Sequence, residues 1–563
     1  MSVNNSKGLL KHIEALAYLI AAWSFAVIFL ESIVQELMNY HLLEFITAGA
    51  NLLLLFLTII SRLICKDQSK QTVLLRIDII MLLLGGLLMF YQAKFVIFFL
   101  LIRQTYFIMQ YILFRAFEGK LYKILTDNPP VSLMLSFAFV ILVGTILLML
   151  PEASVNKEIT PFIDALFTST SATCVTGLIV RDTGSYFSLF GQLVILVLIQ
   201  IGGLGIMTVS TAFALIMGKR LTLKLENVMH NVVGDNERLD VFQLLKNIVI
   251  VTAIIEAFGA VFLFLTFSKT MQASQALYSA IFHSISGFCN AGFSLFTDSL
   301  MGYVDNPLVN FTLTGLILLG GLGFAVMIDL YRYVFKLDRV RKLTLHSKIV
   351  LLVSSLLILV GFISVYVAEY NGLMNGFTVS KRMLSSWFQS VTARTAGFNT
   401  LDITRLSPAS ILVFLGLMFI GASPGSTGGG IKTTTFAVLL LSVTSMLRGR
   451  RELSMYNRKI AISNFREATS LIILSSGIIF LVVFGLFMVE SFPFEKIIFE
   501  AISAFGTVGL SMGITDKLGA AGKLLITILM YIGRIGPLTL IYALSMRKRE
   551  PKITYAEEKI AIG

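Results

Sequence analysis

The stretch TSATCVTGL at residues 170–178 decides the fold, because its pattern returns three times: SGFCNAGFS at 286–294, TARTAGFNT at 392–400 and SAFGTVGLS at 503–511. In each, a short apolar helix candidate runs into a glycine-bearing turn. The aligned glycines Gly177, Gly292, Gly397 and Gly509 lie 115, 105 and 112 residues apart. That period is too long for a solenoid and suits one helix–loop–helix unit repeated in a membrane. A ring of four such backbone loops is how a protein replaces a cation's water shell.

Working outward, the bulk composition demands a bilayer. The chain has 563 residues, 56% of them hydrophobic and only 14% charged, with a mean hydropathy of +0.85. One soluble core cannot hide that much apolar surface. About twelve stretches approach the roughly 20 residues a spanning helix needs. Eight belong to the repeated part, at about 131–150, 188–217, 243–268, 308–335, 346–370, 406–446, 465–490 and 519–546. Four precede it, at about 12–34, 42–64, 73–91 and 94–115, and the first is too long for a cleavable signal peptide. The fold class expected is an all-α integral membrane protein, with four pseudo-symmetric helix–pore loop–helix repeats around one pore and an N-terminal helical extension.

The formal charge of +13 does not point to nucleic acid, because Lys and Arg collect in the segments that join one repeat to the next. Residues 218–240, 336–348 and 447–466 are such segments, and the C-terminal run Arg547, Lys548 and Arg549 follows the same spacing. Basic linkers face the cytoplasm, so the four glycine loops enter from outside. The cysteines Cys65, Cys174 and Cys289 offer neither a disulfide framework nor metal-ligand spacing.

Non-helical backbone at membrane depth is tolerated only where it lines a cavity or is buried in protein. Glycine serves there because positive φ is cheap for it and no Cβ obstructs an ion. The fourth loop, Thr507, Val508 and Gly509, carries the Thr-Val-Gly core of the potassium-channel filter. The preceding helices, expected at 162–173, 276–288, 383–393 and 495–505, would aim their partly negative C-terminal ends at the centre and favour cations there. The second helices repeat too: IGGLG at 201–205, LGGLG at 319–323, IGASPG at 420–425 and IGRIG at 532–536. Taken alone, these also read as small-residue packing patches.

With these motifs the chain resembles the Trk/Ktr/HKT superfamily of potassium transporters, most closely the bacterial ion-conducting subunits, over about residues 130–546. The resemblance implies a selectivity filter for potassium made of Cys174, Val175, Thr176 and Gly177; Cys289, Asn290, Ala291 and Gly292; Arg394, Thr395, Ala396 and Gly397; and Gly506, Thr507, Val508 and Gly509. The residues three before each glycine differ, so the ring is only pseudo-symmetric. The segment SPGSTGGGIKTTT at 423–435 must break its helix, since Pro costs about 3 kcal/mol and each Gly about 1 in a helix interior. It is not a nucleotide P-loop, because Gly430-Ile431-Lys432-Thr433 interrupts the GK[ST] order. In the family it resembles the intramembrane gating loop, here Gly425, Gly428, Gly429, Gly430 and Lys432, with Arg534 matching the arginine that faces it. Charge at this depth marks function by default; for Lys432, snorkelling toward the cytoplasm is the alternative.

The resemblance further implies a homodimer in the bacterial plasma (inner) membrane, multi-pass, working with a cytoplasmic nucleotide-binding regulatory ring on a separate chain. No cofactor is expected in this chain and no nucleic-acid partner; potassium binds in the pore. The expected organisation is an extension of about four transmembrane helices at 1–125, repeats at 126–240, 241–345, 346–460 and 461–550, and a cytoplasmic tail at 551–563. In the extension Asp78 and Arg103 invite comparison with a voltage sensor, but the regular arginine ladder of one is missing, leaving a packing or oligomer-contact role.

An aspartate follows each filter glycine by five to seven residues: Asp182, Asp298, Asp402 and Asp516. Four carboxylates at an outer mouth would concentrate cations; the alternative is turn or helix capping, for which Asp is a favoured residue. Two other function classes compete with the pore. An alternating-access, cation-coupled secondary transporter would call for inverted halves, whereas these repeats run parallel. An intramembrane enzyme would rest on Cys289 and His283, six residues apart without a third orienting group, so no enzyme is expected.

Overall fold

The computed structural model describes residues 129–205, 241–334, 342–450 and 452–537, with Thr539 and scattered positions between 46 and 83. Apart from those scattered positions, the N-terminal spans with Asp78 and Arg103, the linker 218–240, residues 336–341 of the linker 336–348 and the C-terminal basic run lie outside the described residues.

Each quarter carries a long first helix, a short pore helix and a second helix. The first comprises α1 (Pro129–Met149), α2 (Phe162–Thr173) and α3 (Leu189–Gly203). The second comprises α4 (Val241–Phe267), α5 (Ala273–Phe288), α6 (Pro307–Leu322) and α7 (Phe324–Val334). The third comprises α8 (Leu345–Ala368), α9 (Val379–Thr392), α10 (Pro408–Phe419) and α11 (Thr433–Leu447). The fourth comprises α12 (Ile462–Val489), α13 (Phe494–Gly506) and α14 (Ala520–Ile535). A two-residue hairpin, Ser454–Met455 against Arg458–Lys459, sits in the basic linker between α11 and α12. Residues 246–267 of α4, and α8 and α12, are each long and apolar enough to cross a membrane.

Local chemistry sets the boundaries. Asn306 and Ser407 cap α6 and α10, accepting the N–H groups of Leu308 and Val309 and of Ser410, and a proline opens each helix. Each pore helix packs on its own first helix, and each second helix packs on the pore helix of the next quarter: α3 on α5, α6 on α9, α10 on α13 and α14 on α2. The last contact closes the circle. In three quarters a pore-helix serine donates to a first-helix carbonyl: Ser169 to Ile141 at 2.7 Å, Ser284 to Glu256 at 2.6 Å and Ser390 to Ile358 at 2.6 Å. Gly144, Gly259 and Gly361 leave room for those hydroxyls, and Ala501 replaces the serine in the fourth quarter.

The structure corrects the expectation that only the third quarter's second helix breaks. The stretch 308–335 is two helices bent by 104° at Gly323. Within the stretches expected at 188–217 and 519–546, helices α3 and α14 end at Gly203 and Ile535. The cause lies in the last glycine of each motif: Gly205, Gly323, Gly425 and Gly536 all take positive φ, at 89°, 91°, 67° and 89°, which no α-helix continues through. The first glycines of the same motifs pack instead. A Cβ on Gly202, Gly320 or Gly533 would strike the carbonyl oxygen of Thr173, Phe288 or Phe505, at the C-terminal end of a pore helix.

Candidate functional site

The four loops meet. Every filter glycine has positive φ, 90° at Gly177, 69° at Gly292, 78° at Gly397 and 90° at Gly509. A Cβ on Gly177 would lie 2.5 Å from the carbonyl oxygen of Ala291, one on Gly292 2.8 Å from that of Ala396, one on Gly397 2.6 Å from that of Val508, and one on Gly509 2.2 Å from that of Thr176. Each glycine thus abuts the residue before the next glycine, and the sequence returns to its start. The spacing read from the sequence is a closed ring in space.

A second regularity was not legible beforehand. Two residues before each glycine, Val175, Asn290, Thr395 and Thr507 also have positive φ, at 57°, 59°, 70° and 49°. For Val and Thr this is a strained conformation that persists only where surrounding structure imposes it. Part of that imposition is a repeated hydrogen bond from the residue before each glycine into the pore helix: Thr176 to Ser171 O at 2.8 Å, Ala291 to Ser286 O at 2.8 Å, Ala396 to Thr392 O at 3.0 Å and Val508 to Ser503 O at 2.8 Å. The third quarter spans one residue fewer between these partners, so equivalent pore-helix positions stand one residue nearer its glycine in sequence.

The residues three before each glycine contribute backbone rather than matching side chains. Cys289 Sγ lies 3.8 Å from Gln200 Oε1 and 3.9 Å from Glu256 Oε1, in the wall between the first two quarters. The Arg394 guanidinium reaches Ser354 Oγ at 3.3 Å and the Ser354 carbonyl at 3.4 Å on α8, behind its own loop.

The broken segment between α10 and α11 lies directly against the loops. Gly429 N–H donates to Thr507 Oγ1 at 3.0 Å, and Thr427 Oγ1 donates to Phe288 O at 3.3 Å. A Cβ on Gly428 would lie 2.2 Å from Thr395 Oγ1 and one on Gly429 2.4 Å from Thr507 Oγ1, so the glycine run is what lets the segment fit here. The bent second quarter straps it: Thr427 N–H to Gly320 O at 3.2 Å, Ser423 N–H to Gly321 O at 3.1 Å and Phe324 N–H to Gly425 O at 3.1 Å. Arg534, buried, donates to the carbonyl oxygens of Thr427 and of Gly202. Lys432 donates to Gly428 O at 2.7 Å. Two cationic side chains therefore hold adjacent carbonyls of one segment, and Lys432 turns into it rather than away toward an end of the helix.

Asp182 accepts from Ser185 N and Oγ, both at 2.7 Å, and Asp402 accepts from Thr404 N at 3.0 Å and Oγ1 at 2.6 Å; both cap turns. Asp298 and Asp516 are exposed. The sequence reading missed a buried carboxylate, Asp164, which receives Lys523 at 2.7 Å and Arg181 at 2.9 Å and ties the first quarter to the fourth.

A family model described as TrkH, cation transport protein, matches residues 103–554. The chain is 41% identical over 448 residues to the Ktr system potassium uptake protein B of Bacillus subtilis, covering 79% of this chain and 99% of that one. It is also 41% identical to the protein of the same name from Vibrio alginolyticus, over 79% of this chain and 97% of that one. A third relative, the potassium/sodium uptake protein NtpJ of Enterococcus hirae, is 39% identical over 77% of this chain and 97% of its own. Among solved structures, the potassium transporter TrkH from Vibrio parahaemolyticus superposes with a TM-score of 0.58 at 17% identity, covering 90% of this chain and 99% of that one.

Proposed function

Because the chain belongs to the TrkH family of cation transport proteins, we propose that it takes up potassium across the bacterial plasma membrane through the ring of four glycine loops. The observation that carries this reading is the closure of that ring, each filter glycine abutting the carbonyl that precedes the next. Carbonyl oxygens gathered around one axis substitute for the water a cation sheds. Pore helices ending at the ring add their partial negative charge. Relatives named for potassium uptake support the choice of cargo.

The segment 420–432 is the gate in this reading. It lies against filter residues Thr395 and Thr507, and Arg534 and Lys432 hold it there. Positive charge beside the conduction path raises an electrostatic barrier to a cation. Opening requires the segment to leave Thr507 and the second-quarter carbonyls, and a separate cytoplasmic nucleotide-binding ring docked on the basic linkers would supply that bias. A homodimer, one pore per chain, completes the assembly.

The test is potassium uptake by bacterial cells stripped of their own potassium uptake systems and expressing this chain with its regulator. Growth and potassium accumulation at low external potassium support the reading. A folded, membrane-inserted chain that leaves such cells starved contradicts it.

A further inference from the structure

Eleven residues separate the partners of one recurring contact. In α5, His283 Nε2 lies 2.9 Å from Ser294 Oγ. In α9, the Gln389 amide lies 3.4 Å from Thr400 Oγ1, and with its oxygen turned that way it accepts the backbone N–H groups of Thr400 and Leu401, each at 3.1 Å. In α13, Glu500 accepts Ser511 Oγ at 2.9 Å and also Thr515 Oγ1. All three pore-helix side chains are fully buried. All three reach the strand that leaves the filter glycine.

These are one structural position. His283 and Glu500 stand nine residues before Gly292 and Gly509; Gln389 stands eight before Gly397, as the one-residue-shorter third quarter requires. The same offset places Thr168 in the first quarter, where the residue eleven further on is Ile179. Thr168 Oγ1 has no hydrogen-bond partner among the described residues. The eleven-residue tie is found in three quarters; in the first, Arg181, four residues past Gly177, is held instead by Asp164 of α2 at 2.9 Å.

We infer that His283, Gln389 and Glu500 are positioning residues of the filter: each fixes the outgoing strand of its loop, so that the orientation of the filter carbonyls, and with it the discrimination of potassium from sodium, depends on them. Thr395 and Thr507, two before their glycines, need external support, since positive φ at a β-branched residue persists only when neighbouring structure over-determines it. The pore helix anchors the incoming side of each loop through the backbone bonds described above, and the eleven-residue tie anchors the outgoing side. Glu500 makes the most contacts of the three, because its carboxyl takes two hydroxyls, Ser511 and Thr515.

The inference rests on the potassium-uptake reading, and binding rather than flux separates the two, since binding in the filter does not require the gate to open. Isothermal titration of the purified full chain in detergent with potassium and with sodium gives the wild-type preference. A wild-type chain without preference would refute the filter reading itself. Given a preference, Glu500→Met is expected to lower it about tenfold, the scale of losing its two hydroxyl hydrogen bonds. Glu500→Gln, which keeps an acceptor, should restore most of it. Thermal unfolding in cation-free buffer is run beside it, and His283→Leu provides a second variant if Glu500→Met fails to fold. A potassium-to-sodium ratio within about twofold of wild type in folded variants, whatever their melting temperature, overturns the inference.

Discussion

The backbone N–H of Gly429 donates to Oγ1 of Thr507 across 3.0 Å, so the broken segment of the third quarter is bonded to a filter residue of the fourth. In the proposed reading this makes gate and filter direct neighbours. A movement of the segment away from Thr507 would break that hydrogen bond, so on the proposed reading gating and selectivity are coupled at this contact.

The first consequence concerns the gate's clamp. Arg534→Ala removes the donors to Thr427 O and Gly202 O, each a charged hydrogen bond of roughly 1.5–3 kcal/mol. Rubidium uptake into proteoliposomes without any regulator should rise about tenfold or more, because that much energy shifts a closed–open equilibrium by at least that factor. Unchanged basal uptake would show that Arg534 does not hold the closed state.

Lys432 makes the same point from the other side. Lys432→Met removes the bond to Gly428 O and should raise basal uptake, with the Arg534→Ala, Lys432→Met pair giving less than the sum of the two. Such non-additivity is expected of groups that restrain one element. Strictly additive effects would mean that the two cations act on separate structures.

Closure of the ring depends on the seam between the last quarter and the first. Asp164 is buried, with Lys523 at 2.7 Å and the more exposed Arg181 at 2.9 Å. Asp164→Asn leaves Lys523 without its counter-charge, and breaking such a pair costs about 3–5 kcal/mol. A clear drop in the unfolding midpoint is expected. Lys523→Met should cost less, since Arg181 still neutralises the carboxylate. Equal midpoints for all three proteins would rule out the seam as a stabilising contact.

Acid sensitivity should come in part from the loop after α8. Burial would raise the Glu369 carboxyl, but the hydroxyls of Ser410 and Ser407 and the N–H groups of Ser407 and Leu373 outweigh it and hold the group below the ordinary carboxylate range. A depressed folded-state value means stability that is present above the unfolded value, about 4.3, and lost as pH falls through the folded one. Glu369→Gln should therefore be less stable than wild type at neutral pH, with the gap narrowing on acidification. A gap independent of pH would contradict the assignment.

The ring was legible because glycine spacing survives where side chains diverge: Gly177, Gly292, Gly397 and Gly509 can be aligned by eye, and their positive φ follows from the residue type. The break at 423–435 was legible because proline and clustered glycines defeat any helix. The bend at Gly323 was not, since LGGLGF reads as an unbroken apolar span; hydropathy reports transfer into lipid and is blind to φ. The small-residue reading of those motifs holds for some of their glycines and a backbone turn accounts for others: Gly320 packs on Phe288 O while Gly323 turns the chain. The ties at His283, Gln389 and Glu500 left a trace, an eleven-residue spacing to a hydroxyl. Nothing in a single sequence marks that spacing as contact until the loop between its ends is seen to fold back.

The most direct test of the central claim is potassium against sodium flux into proteoliposomes bearing the full chain with its gate released by Arg534→Ala, compared with the same protein carrying Gly509→Asp. At Gly509 φ is +90° and a Cβ would stand 2.2 Å from Thr176 O, so any side chain there must deform the ring. Potassium-preferring flux that the aspartate abolishes is the predicted result. Flux with the same magnitude and the same preference in both proteins would contradict the four-loop filter.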